Sequence, residues 1–286
     1  MEVRMEFMRP REIEAAMAAC PTLFLPLGTI EWHGRQNVCG LDAVKAHALC
    51  VRAAELGGGI VAPPLFGGIG GLDQPCTFVI EPEESLFSNL LRPWLEALCR
   101  EAVRQGFKAV IMLTGHYGAS QQIAVRETAV RMTRVLDQPI LGTAEYWMAL
   151  PEGYVGDHAA FFETSLMMHL HPDTVKLDEL GQAPHQGVHG RDPKQFATAD
   201  DGKRLAEAII GRLAKLSAAM PQWDEQTIDA FAAAEGAVVT RQLAMAGRSG
   251  QVWAGWRNIG DARIAAYSDL LAEQRFDDIV KLAELL

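Results

Sequence analysis

Short apolar segments alternate with longer segments of helical period along most of the chain, and this alternation restricts the fold more than any other feature. Each apolar segment is bounded by glycine, proline or polar turn residues, which is typical of strands buried on both faces. Strands joined by helices form parallel crossover units, so we predict an α/β fold, a three-layer sandwich with a mainly parallel central sheet. The predicted strands are 22–27, 60–63, 108–114 and 138–143, and the predicted helices are 42–56, 83–105, 120–136, 163–170 and 199–219.

The pattern changes after Pro221. Two further helical segments, 224–247 and 261–286, flank a glycine-rich stretch that contains Trp253 and Trp256. We therefore predict one α/β domain over 1–221 and a mostly helical extension over 222–286 that packs on the core or on a neighbouring subunit. The two tryptophans are more typical of packing or of an interface than of direct substrate contact.

Charge and cysteine content limit the classes of partner. Against 36 Asp and Glu stand 26 Lys and Arg, and the formal net charge of −10 disfavours binding to nucleic acid or to an anionic membrane surface. No apolar run approaches the roughly 18 residues of a membrane span, and the N-terminal stretch lacks the apolar region of a signal peptide. Five cysteines without a C-x-x-C spacing indicate neither a disulfide framework nor a thiolate zinc site, so we expect a cytoplasmic protein.

Ionisable side chains follow two of the predicted strands at their carboxyl ends. Glu31 and His33 come after the first strand and, because extended backbone has a period of two, point the same way. His116 follows the third strand in a Gly-His-Tyr-Gly loop. Ligands of open α/β sheets bind beyond the carboxyl ends of the strands, so we expect these three side chains to meet at one edge.

Two further segments extend this set. Asp42 stands at the predicted N-cap of the next helix, and the stretch DHAAFFETS places His158 and Glu163 just before another helix. Imidazoles and carboxylates without sulfur suit Zn²⁺, Mn²⁺, Fe²⁺ or Co²⁺ better than Ca²⁺. Singly, Asp42 could be only an N-cap, Glu163 only a capping-box residue and His116 only a hydrogen-bonded loop residue. Their coincidence at one predicted edge favours a metal site.

Four stretches, in this order along the chain, resemble motifs of the creatininase-type amidohydrolases. They are LPLGTIEWHGRQNVCGLD, LTGHYGAS, DHAAFFETS and GRDPKQFATADDGKRLAEAI, and the resemblance extends over residues 20–215. It implies a hydrolase that uses two divalent metal ions (Zn, Mn or Fe) and acts on a small-molecule substrate. It also implies a homo-oligomer, with a hexamer favoured.

The resemblance further implies a role for each residue of the set. Five side chains would hold the two ions in two sites with one shared ligand: Glu31 and His116 in one, His33 and Glu163 in the other, and Asp42 in both. A hydroxide that bridges the ions would attack the substrate carbonyl. His158 would shuttle a proton or donate to the oxyanion, or else orient Glu163 without touching the substrate.

The sequence departs from creatininase itself beside the second histidine. Creatininase has a Glu two residues after that histidine, whereas this chain has Gly118, and for this reason the last ligand is assigned to Glu163. The stretch after the first His-Gly differs too: its Arg35, Gln36 and Asn37 suit a polyhydroxylated or carboxylated substrate, although Arg35 could instead form a surface ion pair. We expect five residues to bind the substrate or wall its pocket, against the alternative that the aromatic ones only pack: Arg35, Gln36, Tyr117, Trp147 and Tyr154.

Three functions follow from these observations. The first is hydrolysis of a non-peptide C–N bond in a cyclic amide. The second is ring-opening hydrolysis of a cyclic ketone or lactone, such as an oxidised inositol or sugar. The third, a metal-binding scaffold without catalysis, is disfavoured by the intact ligand set. The sequence contains no phosphate-binding loop and no G-x-S-x-G elbow, and nothing in it would lower the pKa of Cys39 to make it a nucleophile.

Overall fold

A computed structural model of the chain describes residues 2–72, 74–83, 88–249, 251–256 and 258–286. Within them, four strands form one sheet in which all neighbouring strands run parallel. The sheet order is β2-β1-β3-β4, where β1 is Thr22–Leu27, β2 is Ile60–Val61, β3 is Ala109–Thr114 and β4 is Ile140–Ala144. The predicted α/β class with a parallel sheet is thereby confirmed.

Both faces of the sheet are covered. Phe24 of β1 and Ile111 of β3 point into one apolar core, together with helices α2 (Leu41–Gly57) and α7 (Ala199–Ala219). Leu25 and Met112, one position further along each strand, point into the other core, against α3 (Leu91–Arg104) and α4 (Ala119–Leu136). Because both faces are buried, β1 and β3 are continuous apolar runs and not alternating ones.

The helices in the described part of the chain follow the predicted segments with a few differences. Helix α1 (Pro10–Ala19) was not predicted, although Pro10 at its first position and the Glu12 carboxylate, which accepts the Arg9 amide at 2.6 Å, are typical start signals. The segment 83–105 is helical only as α3, and its residues 84–87 lie outside the described residues. The remaining helices are α5 (Phe161–Leu170), α6 (Pro193–Phe196), α8 (Glu225–Ser249), α9 (Tyr267–Ala272) and α10 (Phe276–Ala283).

The C-terminal segment 261–286 is not one continuous helix. A 3-10 turn at Ile264–Ala266 leads into α9, and Gln274 then adopts a left-handed backbone conformation with φ of +58° before α10 begins. Helix α8 packs against α4 and α10, so the C-terminal helices lie directly on the sheet domain. No helix among the described residues has the length and apolar character needed to cross a membrane.

Candidate metal centre and active-site cavity

The first turn of α2 lies between the carboxyl ends of β1 and β3, and two glycines make this approach possible. A Cβ atom on Gly28, just after β1, would lie 2.2 Å from the amide nitrogen of Ala43. A Cβ on Gly115, just after β3, would lie 2.1 Å from the carbonyl oxygen of Asp42. Both distances are far below van der Waals contact, so any other residue at either position would push α2 away. The glycines thus bring the Asp42 side chain to the edge of the sheet.

The five predicted ligand side chains converge at this edge and are all buried. Asp42 Oδ1 lies 3.0 Å from His33 Nε2, and Asp42 Oδ2 lies 3.1 Å from His116 Nδ1. His116 Nδ1 is also 3.0 Å from Glu31 Oε2, and His33 Nε2 is 3.8 Å from Glu163 Oε2. The two carboxylate oxygens of Asp42 therefore face two different imidazoles.

Helix capping does not account for either acidic residue. Helix α2 begins at Leu41 after Gly40, so Asp42 lies inside its first turn, and no side-chain hydrogen bond caps this helix. In α5, no side chain caps from the N-cap residue Ala160, and the first amides of the helix instead donate to Asp157, at 2.7 Å from Phe162 and 3.2 Å from Glu163. Asp42 is therefore not the N-cap that the sequence left open, and Glu163 accepts the amide of Ala159, one residue before the N-cap, and not that of the N-cap residue itself.

In His33 and in His116, the ring nitrogen that faces away from Asp42 contacts a backbone carbonyl oxygen, which can only accept a hydrogen bond. His33 Nδ1 lies 3.0 Å from the Glu31 carbonyl oxygen, and His116 Nε2 lies 3.0 Å from that of Ile69. These contacts place the proton of each neutral ring on the nitrogen facing the carbonyl. The opposite nitrogen then presents a lone pair to carboxylate oxygens about 3 Å away. Such an arrangement repels unless a proton or a metal ion lies between the groups.

Without a metal, protons would balance this charge. Burial alone would lower the pKa of His33, but the carboxylates of Asp42 and Glu163 outweigh burial and raise that pKa to about 9. The pKa of His116 is raised well above its ordinary value in the same way, by Asp42 and Glu31 against the effect of burial. The pKa of Asp42 is lowered because the two histidines outweigh its burial.

The donor set fits divalent metal ions. Two overlapping groups, Glu31-Asp42-His116 and His33-Asp42-Glu163, each bring their ligand atoms within 4.8 Å of one another, and Asp42 belongs to both. In the described part of the chain, Glu31 Oε2, His33 Nε2 and Asp42 Oδ2 are buried without a hydrogen-bond partner. A histidine whose second nitrogen donates to a carbonyl is the usual form of a metal ligand. The orphaned atoms are therefore those that a cation would satisfy.

Lys45 fixes the position of Glu163. Its fully buried ammonium donates to Glu163 Oε1 at 2.5 Å and to the Tyr117 hydroxyl at 2.9 Å, and it lies 2.7 Å from Glu145 Oε1. The other oxygen of Glu163 accepts the Ala159 amide at 2.7 Å. One oxygen of Glu163 thus accepts from the Lys45 ammonium. The other accepts the Ala159 amide and lies 3.8 Å from His33 Nε2.

His158 lies beside the cluster and opens onto the cavity. Its ring stacks on His33 with a centroid distance of 4.4 Å, and its Nε2 lies 2.8 Å from the Trp32 carbonyl oxygen and 4.0 Å from Glu31 Oε1. Burial and the neighbouring His33 lower its pKa. Backbone hydrogen bonds in both directions join it to His189, which also lines the cavity.

A cavity of about 490 Å³ opens over this cluster, within the range typical of small-molecule sites. Its inner wall includes Glu31, His116 and His158. It therefore gives a small molecule access to the metal-capable side chains.

Comparisons with known proteins agree with this geometry. A family model described as "Creatininase: Creatinine amidohydrolase" matches residues 6–219. Creatinine amidohydrolase of Pseudomonas putida is 32% identical over an alignment of 202 residues that covers 61% of this chain and 74% of that protein. The chain belongs to the creatininase family. The members of this family are metal-dependent amidohydrolases, and this chain is a hydrolase of that kind.

Solved structures of creatininase share the fold. A mutant creatininase of Zn-Zn type superimposes with a TM-score of 0.64 at 24% identity, over 77% of this chain and 99% of that one. A creatininase structure with Mn matches at 26% identity with a TM-score of 0.60, over 77% of this chain and 100% of that one. The creatininase fold thus accounts for about three quarters of this chain.

The five residues expected to contact substrate do not all lie at the cavity. Tyr117 lines the cavity. Tyr154 is fully buried behind it, with its hydroxyl against that of Tyr117. Gln36 is buried and donates to the Ala159 carbonyl at 2.6 Å, and Arg35 is exposed. Trp147 lies in the core against Tyr267, so among these five only Tyr117 belongs to the described cavity lining.

Sequence reasoning missed three groups at the site. Lys45, inside the predicted helix 42–56, was not singled out from the sequence. Glu83 was placed in a helix, yet its side chain lines the cavity, and its Oε2 lies 2.8 Å from where a Cβ on Gly118 would stand. Its Oε1 accepts the Ser120 amide at 3.0 Å. The absence of a side chain at Gly118, noted from the sequence, leaves the space that this carboxylate fills. The third group, the tryptophans of the C-terminal segment, is treated below.

Proposed function

We propose that this chain is a dinuclear-metal hydrolase that cleaves a non-peptide C–N bond in a small cyclic amide. The observation that carries the proposal is the position of Asp42, whose two carboxylate oxygens each face the lone pair of a different histidine. A carboxylate shared in this way is suited to bridge two ions. Glu31 and His116 would complete one site, and His33 and Glu163 the other.

When bound, two such ions lower the pKa of water to supply a nucleophile at neutral pH and polarise the substrate carbonyl. The chain itself supplies the fixed geometry. Lys45 and the Ala159 amide hold Glu163, and the Leu72 amide holds Glu31 Oε1 at 2.7 Å, so neither carboxylate is free to turn away. These contacts keep the cluster organised for the reaction.

His158 is the proposed proton carrier. It lines the cavity, where it can meet the substrate, and it is not part of the two groups that share Asp42, although with Glu31 and His33 it forms a third group that could hold a metal ion. Its Nε2 proton is shared with the Trp32 carbonyl oxygen, which leaves Nδ1 to take a proton during attack and return it to the leaving nitrogen. The lowered pKa of His158 favours the neutral ring that this step needs.

The amide is preferred over a cyclic ketone or lactone on one observation. The ketone or lactone reading depended on hydrogen-bond donors from Arg35, Gln36 and Asn37. None of the three is among the described residues that line the cavity, and the side-chain amides of Gln36 and Asn37 are turned toward Ala159 and Thr164. We further propose that the protein acts in the cytoplasm, on the basis of its five cysteines without a C-x-x-C spacing, and that it forms a homo-oligomer, with a hexamer favoured, as the family resemblance implies.

Metal analysis and a substrate screen test the proposal. We expect purified protein, after incubation with Mn²⁺ or Zn²⁺ and removal of free metal, to contain about two ions per chain. A screen of cyclic amides against cyclic ketones and lactones, followed by proton release, should show turnover of an amide. A chain that takes up no metal would refute the dinuclear site, and turnover of ketones or lactones alone would refute the choice of bond.

A further inference from the structure

The cavity over the metal-capable cluster is not built by the creatininase domain alone. The family model ends at residue 219, yet Trp253, Trp256 and Ile259 all line this cavity. The match covers almost the whole length of the creatininase structures but leaves about a quarter of this chain unmatched. The C-terminal segment is therefore this chain's own addition to the site.

The lining of the cavity combines two kinds of chemistry. Ionisable groups, including Glu31, His116 and His158, form part of it. The tryptophans and Ile259 supply large apolar surface, and Leu72 and Val155 of the creatininase domain add to it. A substrate that fills the cavity would thus meet both ionisable groups and large apolar surface.

The indole of Trp253 is presented to the cavity by an anchored neighbour. Trp256 is only 8% exposed, and its Nε1 donates to Gln122 Oε1 at 3.1 Å, an oxygen that also accepts the Tyr146 hydroxyl at 2.8 Å. Trp253 packs against Trp256 in an edge-to-face arrangement with a centroid distance of 5.9 Å, and it remains 52% exposed. Trp256 thus fastens the segment to α4, and Trp253 keeps half its surface available to a ligand.

We propose that Trp253 is a specificity-determining residue that receives a planar apolar group of the substrate, next to the amide that is cleaved. This inference rests on the proposed function. An indole face offers a large, rigid contact surface, and an aromatic group placed against it gains both burial and ring contact. The substrate class is accordingly a cyclic amide with an aromatic or flat apolar substituent, larger than a bare five-membered ring.

The test compares two ligands that differ only in such a group, hydantoin and 5-benzylhydantoin. Their affinities are measured by calorimetry, or as kcat/KM if they are turned over, on the metal-loaded wild-type chain and on Trp253→Ala. We expect the benzyl compound to be favoured about tenfold by the wild type and by no more than about twofold by the variant. Affinity for hydantoin should change less than affinity for the benzyl compound, and metal content should not change.

Two further variants serve as controls. Trp94→Ala removes a tryptophan of similar exposure, 44%, from α3, outside the described cavity lining, and should leave the preference intact. Trp253→Phe keeps an aromatic ring and should retain part of the preference for the benzyl compound. This variant separates loss of the ring contact from misfolding. A wild type that binds both compounds equally or binds neither, or a Trp253→Ala chain that keeps the full preference, would overturn the inference. Absence of metal with the preference retained would instead overturn only the dinuclear proposal.

Discussion

Two buried charged clusters in this protein are built on opposite principles. In the metal-capable cluster, lone pairs of His33 and His116 face the oxygens of Asp42, so acceptors meet acceptors. In the second cluster, Arg126 Nη1 lies 3.4 Å from Glu235 Oε2, and the Tyr267 hydroxyl donates to Glu235 Oε1 at 2.6 Å. There a cation and a donor meet an anion, and the guanidinium also stacks 4.2 Å from the Trp147 ring centroid.

The difference shows how a buried charged cluster that stabilises the fold can be distinguished from one that binds a ligand. A cluster in which a cation faces an anion is balanced in charge by the chain itself and stabilises the fold only if it stays intact. A cluster in which acceptors face one another is complete only with a proton or a metal ion. The Arg126 cluster therefore joins α4 to the C-terminal helices, whereas the Asp42 cluster is organised for a ligand.

The change with the largest expected effect is Asp42→Ala, which removes the carboxylate common to both metal-capable groups. We expect loss of both ions and a fall in activity of more than about 100-fold, the upper end for residues that only support a ligand. Metal analysis and initial rates measure this. Asp229→Ala, on the exposed face of α8, is the control and should keep both metal and activity. Retention of two ions by Asp42→Ala would contradict the shared-ligand role.

Arg126→Met should destabilise the protein without touching the metal centre. It leaves the Glu235 carboxylate buried without its cation, which costs about 3–5 kcal/mol of unfolding free energy. Urea unfolding measures the loss, and metal content per folded chain should stay at the wild-type value. The double variant with Glu235→Met should recover part of the stability. If Arg126→Met also emptied the metal centre, the two clusters would not be independent.

Tyr267→Phe makes a smaller change in the same structural cluster. The ring and its contact with Trp147 remain, but the hydroxyl that donates to Glu235 is lost. A hydrogen bond to a buried charged group is worth about 1.5–3 kcal/mol, so unfolding free energy should fall by about 2 kcal/mol. We therefore expect Arg126→Met to lower the unfolding free energy more than Tyr267→Phe does. Equal stability of the two variants would contradict this order.

Lys45→Met tests a lysine whose ammonium contacts the metal-capable cluster through Glu163. Without the ammonium, Glu163 loses the contact that orients its carboxylate, and we expect the affinity of one of the two ions to fall about tenfold. The site of Glu31 and His116 should be unaffected. Chelator competition resolves the two affinities, with Lys203→Met on the exposed surface of α7 as the control. Equal weakening of both ions would show that Lys45 acts through general destabilisation.

Much of the candidate site could be predicted because its signals are local. Buried strands are apolar runs bounded by turn residues, and β1, β3 and α7 lie at or within one residue of their predicted bounds. A parallel sheet brings the carboxyl ends of its strands to one edge, so side chains that follow β1 and β3 had to be neighbours. The assignment of the five side chains as ligands stays a prediction until metal is measured.

Contacts between distant segments could not be read in this way. Lys45 and Glu163 are 118 positions apart, and nothing in the helical period of α2 distinguishes a lysine that enters the protein from one that faces water. Trp147 and Tyr154 stand near the site in sequence, but the 3-10 segment Glu145–Glu152 turns Trp147 into the core. Aromatic side chains pack wherever volume allows, and sequence alone does not report volume.

The amino-acid sequence by itself determined the fold class, the edge of the sheet where chemistry gathers, and the kinds of atoms that meet there, since strand periodicity and residue type act over a few positions. Tertiary structure alone decided which charged groups face one another across the core and that Trp253, from beyond the creatininase domain, lines the cavity. The physical reason is that a lone pair is orphaned or satisfied only by its partner in space, and that partner lies far along the chain.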